Sequence, residues 1–301
     1  MRFRLKEILL SCSILIIIPF GFTGSVNAKN KVAVPDVGEM FYAPHFKRAI
    51  TKKGYNPHKI KTRDHLIDSK KIFTLNVKNG EKLGNIFSRT ISYKSKTDSF
   101  AEVVSRVSGT GIYTVLNSDP QKPAFNGEFR YDGRPESHGS VEIRDEGKTN
   151  IYNGKPYTNT DGSGLMYNSL IWGTPPDKIK SGDTWTVTIP QPWELGGSGT
   201  QTITVLDIDE KNNTIMLKRE GTSEGFYDHD AKNVGIIKDG KTIKMDITPG
   251  QSHWIGYTIF KNGLVISDEL LVTRPVTLTS DNFKFEALER EYILLNAMPA
   301  P

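Results

Sequence analysis

From Thr184 to Ile189 the chain alternates strictly, with Trp185, Val187 and Ile189 between Thr184, Thr186 and Thr188. Such a period of two is that of a strand buried on one face and wet on the other, and β-branched threonines suit the pleated outer face. The alternation returns at Thr202–Val205, and after a polar turn from Asp207 to Asn213 at Ile215 and Leu217, which predicts a three-strand meander. A hairpin is predicted from Trp254 to Phe260 and back along Leu264 to Val272 through Lys261, Asn262 and Gly263. Another joins Ile236 and Ile237 to Ile243, Met245 and Ile247 through Asp239 and Gly240. Upstream, apolar runs predict strands at Ile72–Val77, Ile86–Tyr93, Phe100–Val107, Ile112–Leu116, Phe125–Tyr131, Val141–Arg144 and Ile151–Tyr152. Phe283–Leu295 is assigned to a strand, although Leu288, Tyr292 and Leu295 also fit helical spacing.

Asn-Gly and Asp-Gly pairs punctuate these runs at 79–80, 126–127, 132–133, 153–154, 161–162, 239–240 and 262–263. They favour the positive φ of tight hairpin turns and so predict consecutive antiparallel neighbours. One short helix is predicted over Leu165–Trp172, with Ser163 as its N-cap and Gly173 and Pro175–Pro176 as its stop. Strands that follow one another without long helices argue against βαβ units. The fold class expected is all-β, mainly antiparallel: a large curved or partly closed sheet or open barrel with one or two short helices. In general form this pattern resembles the curved open sheets with a plugging helix of bacterial periplasmic lipid-carrier proteins. That resemblance, one of pattern and not of motif, implies an apolar ligand or acyl chain between the concave face and the Leu165–Trp172 helix.

The N-terminus supplies a compartment. Arg2, Arg4 and Lys6 precede an apolar run from Leu9 to Phe20, and Val26, Asn27 and Ala28 form a small-residue cleavage pattern. This is the layout of a signal peptide over 1–28, cleaved near Ala28, and it predicts export to the periplasm or beyond. Cleavage would remove Cys12, the one cysteine, and lower the formal net charge from +5 to +3. The mature chain would then hold no disulfide and no thiol chemistry. Residues 29–71 form a basic segment ahead of a β domain over 72–301. Lys47, Arg48, Lys52, Lys53, Lys59, Lys61, Arg63, Lys70 and Lys71 there face only Asp64 and Asp68 from Pro44 onward. The first seven are candidate contacts to an anionic envelope surface, with a solvated arm as the plainer alternative. Nucleic acid is not expected as a partner, since export removes the chain from it and no recognition motif is present.

Three of the four tryptophans lie between Gly164 and Trp193, so Tyr167, Trp172, Trp185 and Trp193 are the candidate ligand-binding residues; core packing is the alternative for each. Catalytic signatures do not survive inspection. Asp228-His229-Asp230 cannot converge on one point along a strand. Ser163 and Ser198 lack the glycine pattern of a nucleophile elbow. The Asp207–Asn213 turn puts Lys211 where a calcium ligand belongs and lacks the glycine. Asp183 and Glu194 flank the tryptophan strand, but eleven residues at about 3.3 Å each hold the ends of a straight strand too far apart for paired acid catalysis. No cofactor, no metal site and no catalytic residue is expected. The function expected is noncatalytic binding of a lipid or other apolar ligand. The alternatives are a secreted glycan-active enzyme with a tryptophan platform and a structural envelope protein docked on an anionic surface.

Overall fold

A computed structural model describes residues 15–17, 66–95, 103–160, 162, 164–226, 233–238, 241–281 and 283–300. The signal-like segment apart from Leu15–Ile17, the basic residues Lys47 to Arg63, and Asp228-His229-Asp230 lie outside the described residues. Chain order begins with β1 (Leu15–Ile17), β2 (Ile67–Asp68) and the one-turn helix α1 (Ser69–Phe73), followed by β3 (Lys82–Ser95), β4 (Val103–Asn117), β5 (Ala124–Tyr131) and β6 (Ser137–Arg144). It continues through β7 (Thr149–Tyr152), β8 (Lys155–Thr158), α2 (Ser169–Trp172), β9 (Lys178–Ile179), β10 (Thr184–Ile189), β11 (Gly199–Asp209) and β12 (Thr214–Ser223). The last elements are β13 (Asn233–Lys238), β14 (Lys241–Pro249), β15 (Ser252–Lys261), β16 (Leu264–Ser280) and β17 (Phe283–Met298).

Almost every strand joins one 15-stranded sheet, whose main path runs β10-β11-β12-β15-β16-β17-β3-β4-β5-β6-β7-β8. All neighbours on that path are antiparallel, and the sheet is not closed into a barrel. The predicted meander is β10-β11-β12, and the predicted hairpin at Asn262-Gly263 joins β15 to β16. Phe283–Leu295 is a strand, paired with β16 from Ser280↔Phe283 to Ser267↔Asn296. β1 lies parallel to β13, which pairs with β14, and β14 joins the far half of β16. Among the described residues no helix is long and apolar enough to cross a membrane.

Register explains the core. One cross-strand row runs Trp185–Ile203–Arg219–Gly256–Leu270–Ile293–Arg89 over seven adjacent strands, and all of these residues face the inner side. Ile203, Val205, Leu217, Phe260, Leu270 and Ile293 are fully buried on that side. They are covered by α1, α2 and the 193–195 turn, which contribute Ile72, Phe73, Ile171, Trp172, Trp193 and Leu195 to the same cluster. At about 1.5–3 kcal/mol for each buried large side chain, this cluster dominates the apolar stabilisation.

Three local expectations differ. Ile72–Val77 is not a strand: Asp68 accepts from Lys70 N–H at 2.9 Å and caps α1, while Leu75 and Val77 are buried beyond it without joining the ladder. The helix expected from Leu165 is the single turn Ser169–Trp172, capped by Asn168 instead of Ser163. Leu165 and Met166 are drawn into extended pairing with β16, Leu165 C=O accepting from Val265 N–H at 2.9 Å. Asn126-Gly127 is no turn but mid-strand in β5, whereas Asn153-Gly154 and Asn262-Gly263 are turns with both residues at positive φ.

A glycine-floored aromatic cavity as candidate site

Beyond Arg89 the inner face changes character. The row Val205–Leu217–Thr258–Asp268–Leu295–Phe87 continues into Gly109 and Tyr131. The next row carries Asn85, Gly111, Phe129 and Ser137, and the one after it Tyr113, Gly127 and Gly139. Four inward positions on β4, β5 and β6 are therefore glycine, and aromatic rings of neighbouring residues lie over them. A Cβ at Gly109 would stand 2.6 Å from the Tyr131 ring, and one at Gly139 only 2.4 Å from the Tyr152 ring. One at Gly127 would meet Phe129 at 2.7 Å, and one at Gly111 would meet Asn85 Oδ1 at 2.7 Å and Tyr113 at 3.1 Å. Glycine is what lets these rings fold down onto the sheet.

The result is a cavity of about 240 Å³ between β3–β8 and the segment around Leu165 and Met166. Phe87, Tyr113, Phe129, Tyr131, Tyr152 and Tyr157 line it, each only half-buried, with Phe125 fully buried behind them. Tyr113 meets Phe129 edge-on at 5.4 Å and Phe125 edge-on at 6.4 Å, a contact geometry that fixes the ring orientations. The covering segment is pinned by backbone-directed amides: Asn159 donates to Gly147 C=O at 2.9 Å and Asn168 donates to Asn159 C=O at 3.1 Å.

Polar groups occupy the two margins. On β7, Asn150 is opposite Ile143 and Tyr157, is 6 % exposed, and its carboxamide Oδ1 has no hydrogen-bond partner although it lines the cavity. On β3, Arg89 is paired with Glu291 and lies 3.9 Å from Glu194, whose other oxygen accepts from Gly162 N–H at 2.8 Å. Burial alone would lower the Arg89 pKa, but Glu291, Glu194 and Glu289 outweigh it and hold the guanidinium above its ordinary value. Behind Arg89 a buried charge belt continues: Glu289 and Glu291 bind Arg274 at 2.9 and 3.2 Å. Two strands further on, beyond β15, Arg219 binds Asp268 at 2.7 Å and donates to Gly162 C=O at 2.6 Å. Gly256 faces Arg219 in the register and leaves room for its side chain.

The four sequence candidates sit elsewhere. Trp172 and Trp193 are buried in the core, Trp172 edge-on to Phe260 at 5.2 Å and Trp193 to Trp254 at 4.9 Å. Trp185 is half-buried and donates to Trp172 C=O at 2.8 Å; Tyr167 bonds Gly173 C=O and packs on Phe73 at 4.9 Å. None of the four lines the cavity. Burial, and secondly Glu146, pushes the Tyr167 phenol well up. Glu194 lines the cavity, but Asp183 instead closes a turn by accepting from Lys180 N–H at 2.9 Å.

No family model matches the chain, and no curated protein does. Its own geometry therefore carries the functional reading. The alternation of the strands pointed to the concave face, but the cavity residues were missed. Their signal was the recurrence of glycine at inward positions, Gly109, Gly111, Gly127 and Gly139, with aromatics two residues along the same strand at Tyr113 and Phe129. On the outer face Glu128, Glu136 and His138 bring ligand-type atoms within 4.8 Å of one another, but Arg130 engages Glu136 at 2.7 Å and the group is solvated.

Proposed function

We propose that this is an exported, noncatalytic binding protein that takes a small ligand into the cavity between β3–β8 and the Leu165–Met166 segment. The observation that carries the reading is the hollow itself: half-exposed rings over a glycine floor, on a face that is otherwise filled. A few polar groups set into mostly apolar walls is the make-up of small-molecule sites, although about 240 Å³ is below the roughly 300–1,000 Å³ usual for drug-sized ligands. Among the described residues of the lining the one carboxylate is Glu194, already engaged by Gly162 N–H, where glycoside hydrolysis uses two acids. That favours binding over a glycan-active enzyme. Export rests on the signal-like pattern of residues 1–28, and docking on an anionic surface on the basic residues Lys47 to Arg63.

Ligand-detected NMR on the full chain, with sugars, phenols and short fatty acids as probes, tests the reading. Saturation transfer to at least one class is expected, and its loss in Ser137→Phe, which places a ring in the cavity. Transfer to no class, or transfer undiminished in Ser137→Phe, would overturn it.

A further inference from the structure

Chemistry at the two margins narrows the ligand. Asn150 Oδ1 is an acceptor sealed from solvent and unmatched by the protein, and an unmatched buried acceptor is costly unless a ligand supplies the hydrogen. A bare acyl chain carries no hydrogen-bond donor and would leave it unmatched. On the opposite margin the Arg89–Glu194 pair presents a donor and an acceptor side by side, both about three-quarters or more buried. Between these margins the walls are rings of tyrosine and phenylalanine. A molecule that meets all three must have flat apolar faces and hydroxyl groups around its edge. A pyranose ring has this form: its axial C–H bonds lie against aromatic faces while its equatorial hydroxyls point outward as donors and acceptors. β3 and β7 are separated by three strands, at about 4.8 Å per step, and the register puts Arg89 level with the β5–β6 turn and Asn150 level with the start of β5, so the margins are further apart than one ring spans.

Resting on the binding reading above, we infer that the ligand is a short glycan, with one sugar ring stacked on the Tyr152–Tyr157 wall and a hydroxyl donating to Asn150 Oδ1. The adjoining sugar extends toward Arg89 and Glu194. Aromatic stacking supplies the bulk of the contact, and Asn150 selects for a donor at that place.

The test titrates the full chain calorimetrically with cellobiose, maltose, chitobiose and the corresponding monosaccharides, and separately with decanoate and p-cresol. The expected result is binding of at least one disaccharide, more tightly than its monosaccharide, and no binding of decanoate. Asn150→Leu, which keeps the side-chain volume and removes the acceptor, is expected to weaken that disaccharide tenfold or more while the thermal midpoint stays within a few degrees. If Asn150→Leu does not fold, Asn150→Asp, which keeps an acceptor, is expected to retain binding within a fewfold. Binding of decanoate or p-cresol without any sugar would overturn the glycan inference and leave the binding reading standing. Binding of none of the probes would overturn both. A disaccharide bound equally by wild type and Asn150→Leu would remove Asn150 from the site.

Discussion

The two halves of the inner face share one sheet and one alternation, yet one is solid and the other hollow. On β10–β12 and β15–β17 the inward positions are Val187, Ile203, Leu217, Trp254, Leu270 and Ile293, roofed by α1, α2 and Trp193. On β4–β6 the corresponding positions include Gly109, Gly111, Gly127 and Gly139, with half-exposed rings lying over them. Binary patterning thus sets which face is inward, while side-chain volume at those positions decides whether the face is core or cavity. A belt of paired charges, from Arg219–Asp268 within the solid half to Arg89–Glu194 on β3, runs across the sheet to the border between the halves.

Mutation can break this division, and the largest effect belongs to the charge belt. Arg219→Met leaves the buried Asp268 carboxylate without its guanidinium partner and is expected to cost about 3–5 kcal/mol in urea unfolding. Replacing Asp268 by Leu as well is expected to restore most of that loss; a double variant no better than the single would contradict the role of the pair. Next, Ile203→Ala in the solid half is expected to cost about 2–5 kcal/mol. Tyr157→Leu in the hollow half should change stability by less than about 1 kcal/mol. Equal costs would make the hollow half ordinary core. Gly139→Ala should follow, at about 1–3 kcal/mol, because its Cβ must displace the Tyr152 ring and so reshape the cavity.

The last effect depends on pH. Burial, joined by Glu289 at Tyr93, Glu146 at Tyr167 and Glu269 at Tyr292, raises these phenol pKa values above the ordinary 10.0. A raised folded-state value means that the folded protein keeps a proton the unfolded chain releases. The stability contributed is intact below pH 10 and falls as pH rises beyond it. Tyrosinate absorbance during alkaline titration should show these three ionising together with unfolding, after the exposed phenols; three early, independent ionisations would contradict the burial.

Much of the sheet was legible because alternation is local: Trp185–Ile189, Thr202–Val205 and Trp254–Phe260 carry their own signal. Phe283–Leu295 was ambiguous from spacing and was settled by pairing along nearly all of β16, a long-range fact. Ile72 and Phe73 escaped because a single capped turn, held by Asp68, is set by tertiary contacts with β15 and not by propensity. The site was hidden for the opposite reason. Tryptophans mark apolar bulk wherever it lies, and here Trp172 and Trp193 lie in the core, while a cavity is recorded by missing side chains. Gly127 within Asn126-Gly127 has the look of a turn and is instead the floor under Phe129.

The four indoles all lie outside the cavity lining, and four of its wall residues, Tyr113, Tyr131, Tyr152 and Tyr157, are tyrosines with half-exposed rings, so one spectrum separates the two halves. Two-dimensional NMR of the full chain, saturated with whichever disaccharide binds, should shift the ring signals of Tyr152 and Tyr157 and leave the indole N–H signals of Trp172, Trp185, Trp193 and Trp254 in place. Shifts concentrated on the indoles, with the tyrosine rings unmoved, would contradict the account.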